Sequence, residues 1–184
     1  PSLPPDSVAS QHLQIEAMKL GFADAYRFVS DPRTMELPPS ALLDPDYLAS
    51  RARLIDPQRA QDFGPGGPPR GGTVYLCAAD ERGMMVSLIQ SNYMGFGSGV
   101  VVPGTGISLQ NRGTGFSLAA GHPNEIGGGK RPFHTIIPGF LTRDGVPLAA
   151  FGVMGGAIQP PGHLQTLVRL LIYGMNPQAV IDET

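Results

Sequence analysis

The sequence predicts an α+β fold in which antiparallel hairpins are flanked by helices. Three observations carry that prediction: a helix-period apolar stripe from Ile15 to Val29, hairpin signatures at Asp80–Gly83 and Arg143–Gly145, and a second helical pattern from Leu164 to Ile172. Helices, then hairpins, then helices keep sheet and helix in separate runs, as an α+β domain does. With 184 residues, 41% hydrophobic and 15% charged, the chain can bury one real core and is short for two.

Residues 1–62 read as helical. Asp6 or Ser7 can cap a helix reaching about Val29, with Ile15, Met18, Phe22, Tyr26 and Val29 along one stripe. Asp31-Pro32 ends it, because the residue before proline avoids helical backbone. Asp44 as N-cap and Pro45 in the first turn signal a second helix to about Leu54. Both stripes are expected to pack against a sheet. Residues 63–72 are too rich in glycine and proline for helix or strand, and form a loop that presents the next residue.

From Thr73 to Thr184 the texture changes. Val74 to Ala79 and Met85 to Gln90 alternate as strands around Asp80-Glu-Arg-Gly83. A glycine-rich stretch from Gly95 to Gly106 precedes a short strand at Ile107 to Leu109. A second hairpin joins Phe140–Thr142 to Leu148–Val153. After Gly155-Gly156 a helix carries Leu164, Leu167, Val168, Leu171 and Ile172 on one face and stops at Gly174. Asn176-Pro177 opens a last one.

Composition excludes several functions. A net charge of -2 gives no electrostatic footprint for nucleic acid, and no apolar run reaches a membrane span. Cys77 is the only cysteine, so an internal disulfide and a cysteine-built metal site are both excluded. His12, His122, His134 and His163 form no close pair, which argues against zinc. Eleven of the 15 acidic residues lie at or before Glu81. The later half is locally cationic, suited to an anionic small molecule unless the asymmetry is ordinary surface variation.

Familiar motifs fail on their spacing. Gly128-Gly129-Lys130 resembles half a phosphate loop, but Asn124 stands at its first glycine and Arg131 at its hydroxyl position. Gly95 to Gly99 lacks the third glycine of a dinucleotide fingerprint. No G-x-S-x-G elbow is present.

What remains is Gly71-Gly72-Thr73 at the seam between loop and strand. A threonine hydroxyl is a poor nucleophile without a base beside it. Making it the first residue of a new chain lets its own α-amine take the proton, and that amine titrates at about 7.7–8.0. Such an enzyme cuts itself, with the hydroxyl attacking the preceding carbonyl, and Gly-Gly allows the strained backbone this needs. Read alone, Thr73 would be a residue that merely opens a strand.

From Thr73 onward the chain resembles the gamma-glutamyltranspeptidase family and its acylase-like relatives, which are N-terminal-nucleophile hydrolases. The matching segments are Thr73-Val-Tyr-Leu-Cys-Ala-Ala-Asp80, Ser91-Asn-Tyr-Met-Gly-Phe-Gly-Ser-Gly99, Leu109-Gln-Asn-Arg112, Lys130-Arg-Pro-Phe-His-Thr135 and Gly155-Gly156. Upstream, Glu16 to Asp24 and Asp31-Pro32 resemble the end of the family's large subunit. The resemblance implies an αββα sandwich, partial here, because the chain begins within the large subunit and stops before a strand the family needs. It also implies cleavage between Gly72 and Thr73, with Thr73 as nucleophile and new N-terminus. Ser91 matches a hydroxyl residue hydrogen-bonded to the nucleophile. Gly155 and Gly156 match the oxyanion-hole diglycine, where backbone N–H groups stabilise developing charge; without Thr73 they would read as a turn.

His134 and Thr135 fall where the family has paired serines near the substrate carboxylate, although His134 could be a surface residue. Three departures bear on specificity. Arg112 replaces a Gln and Gly115 an Asp that hold the glutamyl α-amino and carboxylate groups, and Tyr93 replaces an Asn at the substrate wall. Losing the Asp removes a partner for an α-ammonium. Arg112, unless it is a surface arginine, favours a free acid such as a glutaryl end. The implied activity is transfer or hydrolysis of a γ-glutamyl-type amide by an acyl-enzyme, resolved by water or an amine. The alternatives are a glutaryl or cephalosporin-type acylase and a non-catalytic relative that stays uncut and acts as a binding module. The resemblance implies no metal or organic cofactor, a small-molecule amide as partner, and a heterodimer of large and small subunits with higher oligomers open. Cytoplasm and periplasm both remain open.

Overall fold

The computed structural model describes residues 3–63 and 72–183, and the chain divides into two compact units. The first gathers Pro1–Gly67, Phe116–Phe133 and Pro160–Thr184, the second Pro68–Gly115 and His134–Gln159. Most of the loop expected at 63–72, residues 64–71, lies outside the described residues. Among the described residues no helix is long and apolar enough to cross a membrane.

In the first unit, helix α1 (Val8–Phe28) starts where the cap predicts it: Ser7 Oγ accepts the Ser10 N–H at 3.2 Å. A single turn, α2 (Pro39–Leu42), precedes α3 (Pro45–Ala52), and Asp44 Oδ1 caps α3 by accepting the Tyr47 N–H at 2.9 Å. Helix α4 (Gln159–Leu167) runs into a π-turn, Val168–Ile172, closed by Tyr173 N–H on Val168 O at 3.2 Å. Asn176 Oδ1 then caps α5 (Pro177–Asp182) through the Ala179 N–H at 2.9 Å.

The faces of these helices differ from the expected stripes. The buried residues of α1 are Ser10, Glu16 and Leu20, while Ile15 and Tyr26 are exposed. Glu16, 1% exposed, turns inward because its charge is fully met: Lys19 Nζ donates to it at 2.7 Å and the Gln61 N–H at 3.1 Å. Within this unit α1 is tied to α3 and to a loop by polar contacts. Tyr47 donates to Asp24 at 3.0 Å, Arg51 pairs with Asp24 at 2.9 Å, and His12 Nε2 meets Asp56 O at 2.8 Å. Farther along the chain, the π-turn inserts one residue into the helical register, which turns Leu171 and Ile172 to the exterior and Arg169 inward. Arg169 donates to Val180 O, Glu183 O and Asp6 Oδ1 at 3.1, 2.7 and 2.6 Å, so a buried cation binds α5 to the start of the chain.

Asp31, 2% exposed, is the other polar hub of this unit. It accepts from Arg33 Nη2 at 2.7 Å, Arg33 Nε at 3.1 Å, and the N–H groups of Arg33 and Arg131 at 3.0 Å each. The Arg33 guanidinium and these N–H donors hold its carboxyl well below the usual carboxylate range.

The second unit holds two two-stranded antiparallel sheets, β1 (Gly72–Ala79) with β2 (Met85–Tyr93) and β3 (Gly139–Arg143) with β4 (Val146–Phe151). The β1–β2 turn is closed by Asp80 N–H on Met84 O at 3.0 Å, with Gly83 at φ +80°. At the β3–β4 turn Asp144 (φ 52°) and Gly145 (φ 80°) both take left-handed backbone, the requirement of a type I′ hairpin. Strand β4 stops at Phe151, short of the expected Val153. The strand expected at Ile107–Leu109 is a single bridge, Val101↔Ser108. Pro103 offers no N–H and Gly104 and Gly106 both turn left-handed, so the ladder cannot extend there.

Candidate active site

Thr73 is the second residue of β1, opposite Ser91 on β2. The register shifts at this point: Gly72 faces Tyr93 and Thr73 faces Ser91, so Asn92 is a surplus residue and the strand pair bulges. Tyr93 just beyond it takes φ 77°, a backbone that a bulky side chain rarely adopts. Ser91 Oγ supports that conformation by accepting the Tyr93 N–H at 2.9 Å. The end of β2 is tied onward by Asn111, whose N–H donates to Asn92 O at 3.1 Å and whose Oδ1 accepts the Met94 N–H at 3.0 Å.

These ties put Arg112, the first residue of a 3-10 turn ending at Gly115, underneath Tyr93. Its guanidinium carbon lies 5.4 Å from the Tyr93 ring centroid. Nη2 donates to Ser91 O at 3.3 Å and Nη1 donates to Thr135 Oγ1. Arg112 is 7% exposed, and burial lowers its guanidinium from the ordinary value, yet among the described residues no carboxylate pairs with it. Arginine remains charged at any working pH, so this is an internal cation held only by neutral acceptors and a ring.

The structure therefore brings Thr73, Ser91, Tyr93, Arg112 and Thr135 into one cluster. His134, although next to Thr135, is exposed, and its Nδ1 accepts the Ile136 N–H at 3.3 Å. Gly155 and Gly156 form the turn after β4, with φ 117° and 65°. A Cβ on Gly155 would lie 2.6 Å from Ile158 Cγ2, so glycine is needed for both conformation and space. Sequence reasoning missed Tyr75, Ser87, Asn111, Gly152 and Met154, which join these segments. Tyr75 and Asn111 lie inside the matching segments with no role assigned to them there, and Ser87, Gly152 and Met154 lie only near such segments; each acts through a contact distant in the chain. Among the described residues no group of three or more His, Cys, Asp or Glu stands close enough to hold a metal ion.

Comparison with known proteins places the chain in a family. The sequence pattern of the gamma-glutamyltranspeptidase family matches residues 2–184, and the chain belongs to that family. It is 38% identical over 176 residues to the glutathione hydrolase-like YwrD proenzyme of Bacillus subtilis, covering 94% of this chain and 32% of that one. It is 38% identical over 177 residues to the oxamate amidohydrolase proenzyme of Klebsiella pneumoniae, covering 96% and 33%. The cephalosporin acylase structure from Bacillus halodurans superposes with a TM-score of 0.86 at 50% identity, covering 97% of this chain and 32% of that one. The chain thus spans about a third of the length of the curated relatives it matches.

Proposed function

We propose that this chain is part of a self-processing amidohydrolase in which Thr73 is the nucleophile. Cleavage of the Gly72–Thr73 bond frees the Thr73 α-amine. The amine takes the hydroxyl proton as Oγ attacks the amide carbonyl, then gives it to the departing amine as the C–N bond breaks. Water or an acceptor amine opens the resulting ester and restores Thr73. Gly155 and Gly156 offer backbone N–H groups to the oxyanion, and Ser91 orients the nucleophile. The rest of the protein completes an αββα sandwich, and processing leaves a large and a small subunit. The observation that carries the reading is the facing of Thr73 and Ser91 at the bulge that starts β1.

The substrate side of the proposal rests on Arg112. A buried cation that no carboxylate among the described residues pairs with favours an acyl group that ends in a free acid. In the second unit the only acidic residues, Asp80, Glu81 and Asp144, lie at the hairpin turns, so none of its carboxylates stands in this cluster to receive an α-ammonium. This favours an acylase-type substrate such as a glutaryl amide over a strict γ-glutamyl one.

The test is Thr73→Ala in the full-length protein, read by denaturing electrophoresis and by hydrolysis of γ-glutamyl and glutaryl anilides. An uncut, inactive chain is expected. Normal self-cleavage would eliminate the assignment, and a wild-type chain that never divides would favour the binding-module alternative.

A further inference from the structure

Tyr75 is held at three points. Its N–H donates to Met154 Sδ at 3.0 Å. Its ring lies against Gly152, where an added Cβ would come within 2.4 Å of the ring carbons. Its hydroxyl is 2.9 Å from Ser87 Oγ, which itself donates to Gly139 O at 2.8 Å. Because Ser87 gives its proton to Gly139, Tyr75 is the donor of the first bond, and a relay runs from β1 through β2 to β3. Burial raises the Tyr75 hydroxyl above its ordinary value, so it stays a donor at neutral pH.

The positions of these contacts in the chain matter more than their number. Tyr75 lies two residues beyond Thr73, about 7 Å along the strand. Met154 immediately precedes Gly155, and Gly152 is two residues before Met154. The strand that carries the nucleophile and the turn that carries the diglycine therefore meet through one side chain and one sulfur. The partners are selective. Tyr75 pairs with β2 on one side, and its N–H points to the other, toward the half-exposed Met154. The Met154 sulfur fills that place, as a leucine of similar volume could not.

We propose that Tyr75 and Met154 are positioning residues that set the distance between the Thr73 hydroxyl and the Gly155–Gly156 N–H groups. The inference rests on the proposed function, since it requires Thr73 to attack and the diglycine to receive the oxyanion. Neither residue touches substrate. Their effect is on geometry, and in such sites a displacement near 1 Å costs on the order of 10²-fold in rate.

The test uses the full-length protein with a glutaryl anilide, comparing wild type, Met154→Leu, Tyr75→Phe and Thr73→Ala. Met154→Leu removes the acceptor and keeps the volume; Tyr75→Phe removes the hydroxyl relay and keeps the ring. We expect kcat to fall about tenfold or more in Met154→Leu and less in Tyr75→Phe, with KM within twofold and thermal midpoints close to wild type. Unchanged kcat in both folded variants would overturn the inference while leaving the parent reading intact. So would a loss that appears equally in KM and tracks a lowered thermal midpoint, because that pattern belongs to a purely structural role. Persistent turnover in Thr73→Ala would remove the parent reading and the inference together.

Discussion

Arg112 and Tyr93 form a cation–ring pair in which the guanidinium carbon lies 5.4 Å from the ring centroid and the ring is delivered by a left-handed backbone at φ 77°. The same guanidinium donates to Thr135 and to the carbonyl of Ser91, so one side chain joins three segments of the second unit. Replacing it changes both charge and shape.

Arg112→Gln is expected to lower kcat/KM for a glutaryl anilide about tenfold or more relative to a γ-glutamyl anilide, the size of a lost charge-assisted contact. Competition between the two substrates gives the ratio directly. A ratio equal to wild type would place the acid-recognising group elsewhere.

Gly155→Ala is expected to reduce turnover by ~10²-fold or more, because the Gly155–Gly156 turn proposed to receive the oxyanion must open to admit a methyl group at φ 117°. Ile158 Cγ2 stands 2.6 Å from where that methyl would be built. Pre-steady-state measurement of acyl-enzyme formation would isolate the step; normal acylation would contradict the role given to the diglycine.

Gly97→Ala tests the scaffold behind Arg112. Its Cβ would come within 2.5 Å of Leu109 O, a backbone atom that cannot rotate aside, and its φ of +78° disfavours any side chain. A stability loss of about 1–3 kcal/mol is expected, measured by denaturant unfolding of the full-length protein.

Asp31→Asn tests the first unit through pH. The folded carboxyl of Asp31 titrates below its unfolded value of about 3.9. Its contribution is therefore present above that value and disappears as pH falls through the folded pKa. The variant should melt several degrees below wild type at pH 7, and the two midpoints should begin to converge only as pH falls below about 4. Parallel curves down to pH 2 would show that the Asp31 charge contributes nothing.

Local chemistry was readable from the sequence wherever the determinant is local. Ser7, Asp44 and Asn176 cap their helices because each accepts an N–H three residues on. Asp144-Gly145 makes its turn because few other pairs tolerate two positive φ values. Burial was less readable. A charged residue such as Glu16 can occupy the inner face only when Lys19 and the Gln61 N–H meet it, and Gln61 is 45 residues away. The π-turn at Val168 moved Leu171 and Ile172 off their face without any glycine or proline to announce it.

The site shows the same division. The Thr73–Ser91 pairing follows from a hairpin whose turn was visible at Asp80–Gly83, so counting back along both strands brings the two residues near each other. The bulge just beyond them, which sets Gly72 against Tyr93, was not visible, because Asn92 carries no side-chain feature that marks a surplus position. Arg112 was singled out as an acid anchor, but its contacts with Tyr93, Ser91 and Thr135 depend on chain segments 19 to 23 residues apart.

Asn92 also separates two properties that usually change together. Side chains alternate between the two sides of a strand, so excising this one amino acid would leave every pairing from Thr73 to Ala79 untouched while reversing the direction in which Tyr93 projects. The hairpin would fold as before and the aromatic lid over the guanidinium would be gone. A lineage could therefore gain or lose its ring-roofed cation by a single codon, without disturbing the strand that carries Thr73.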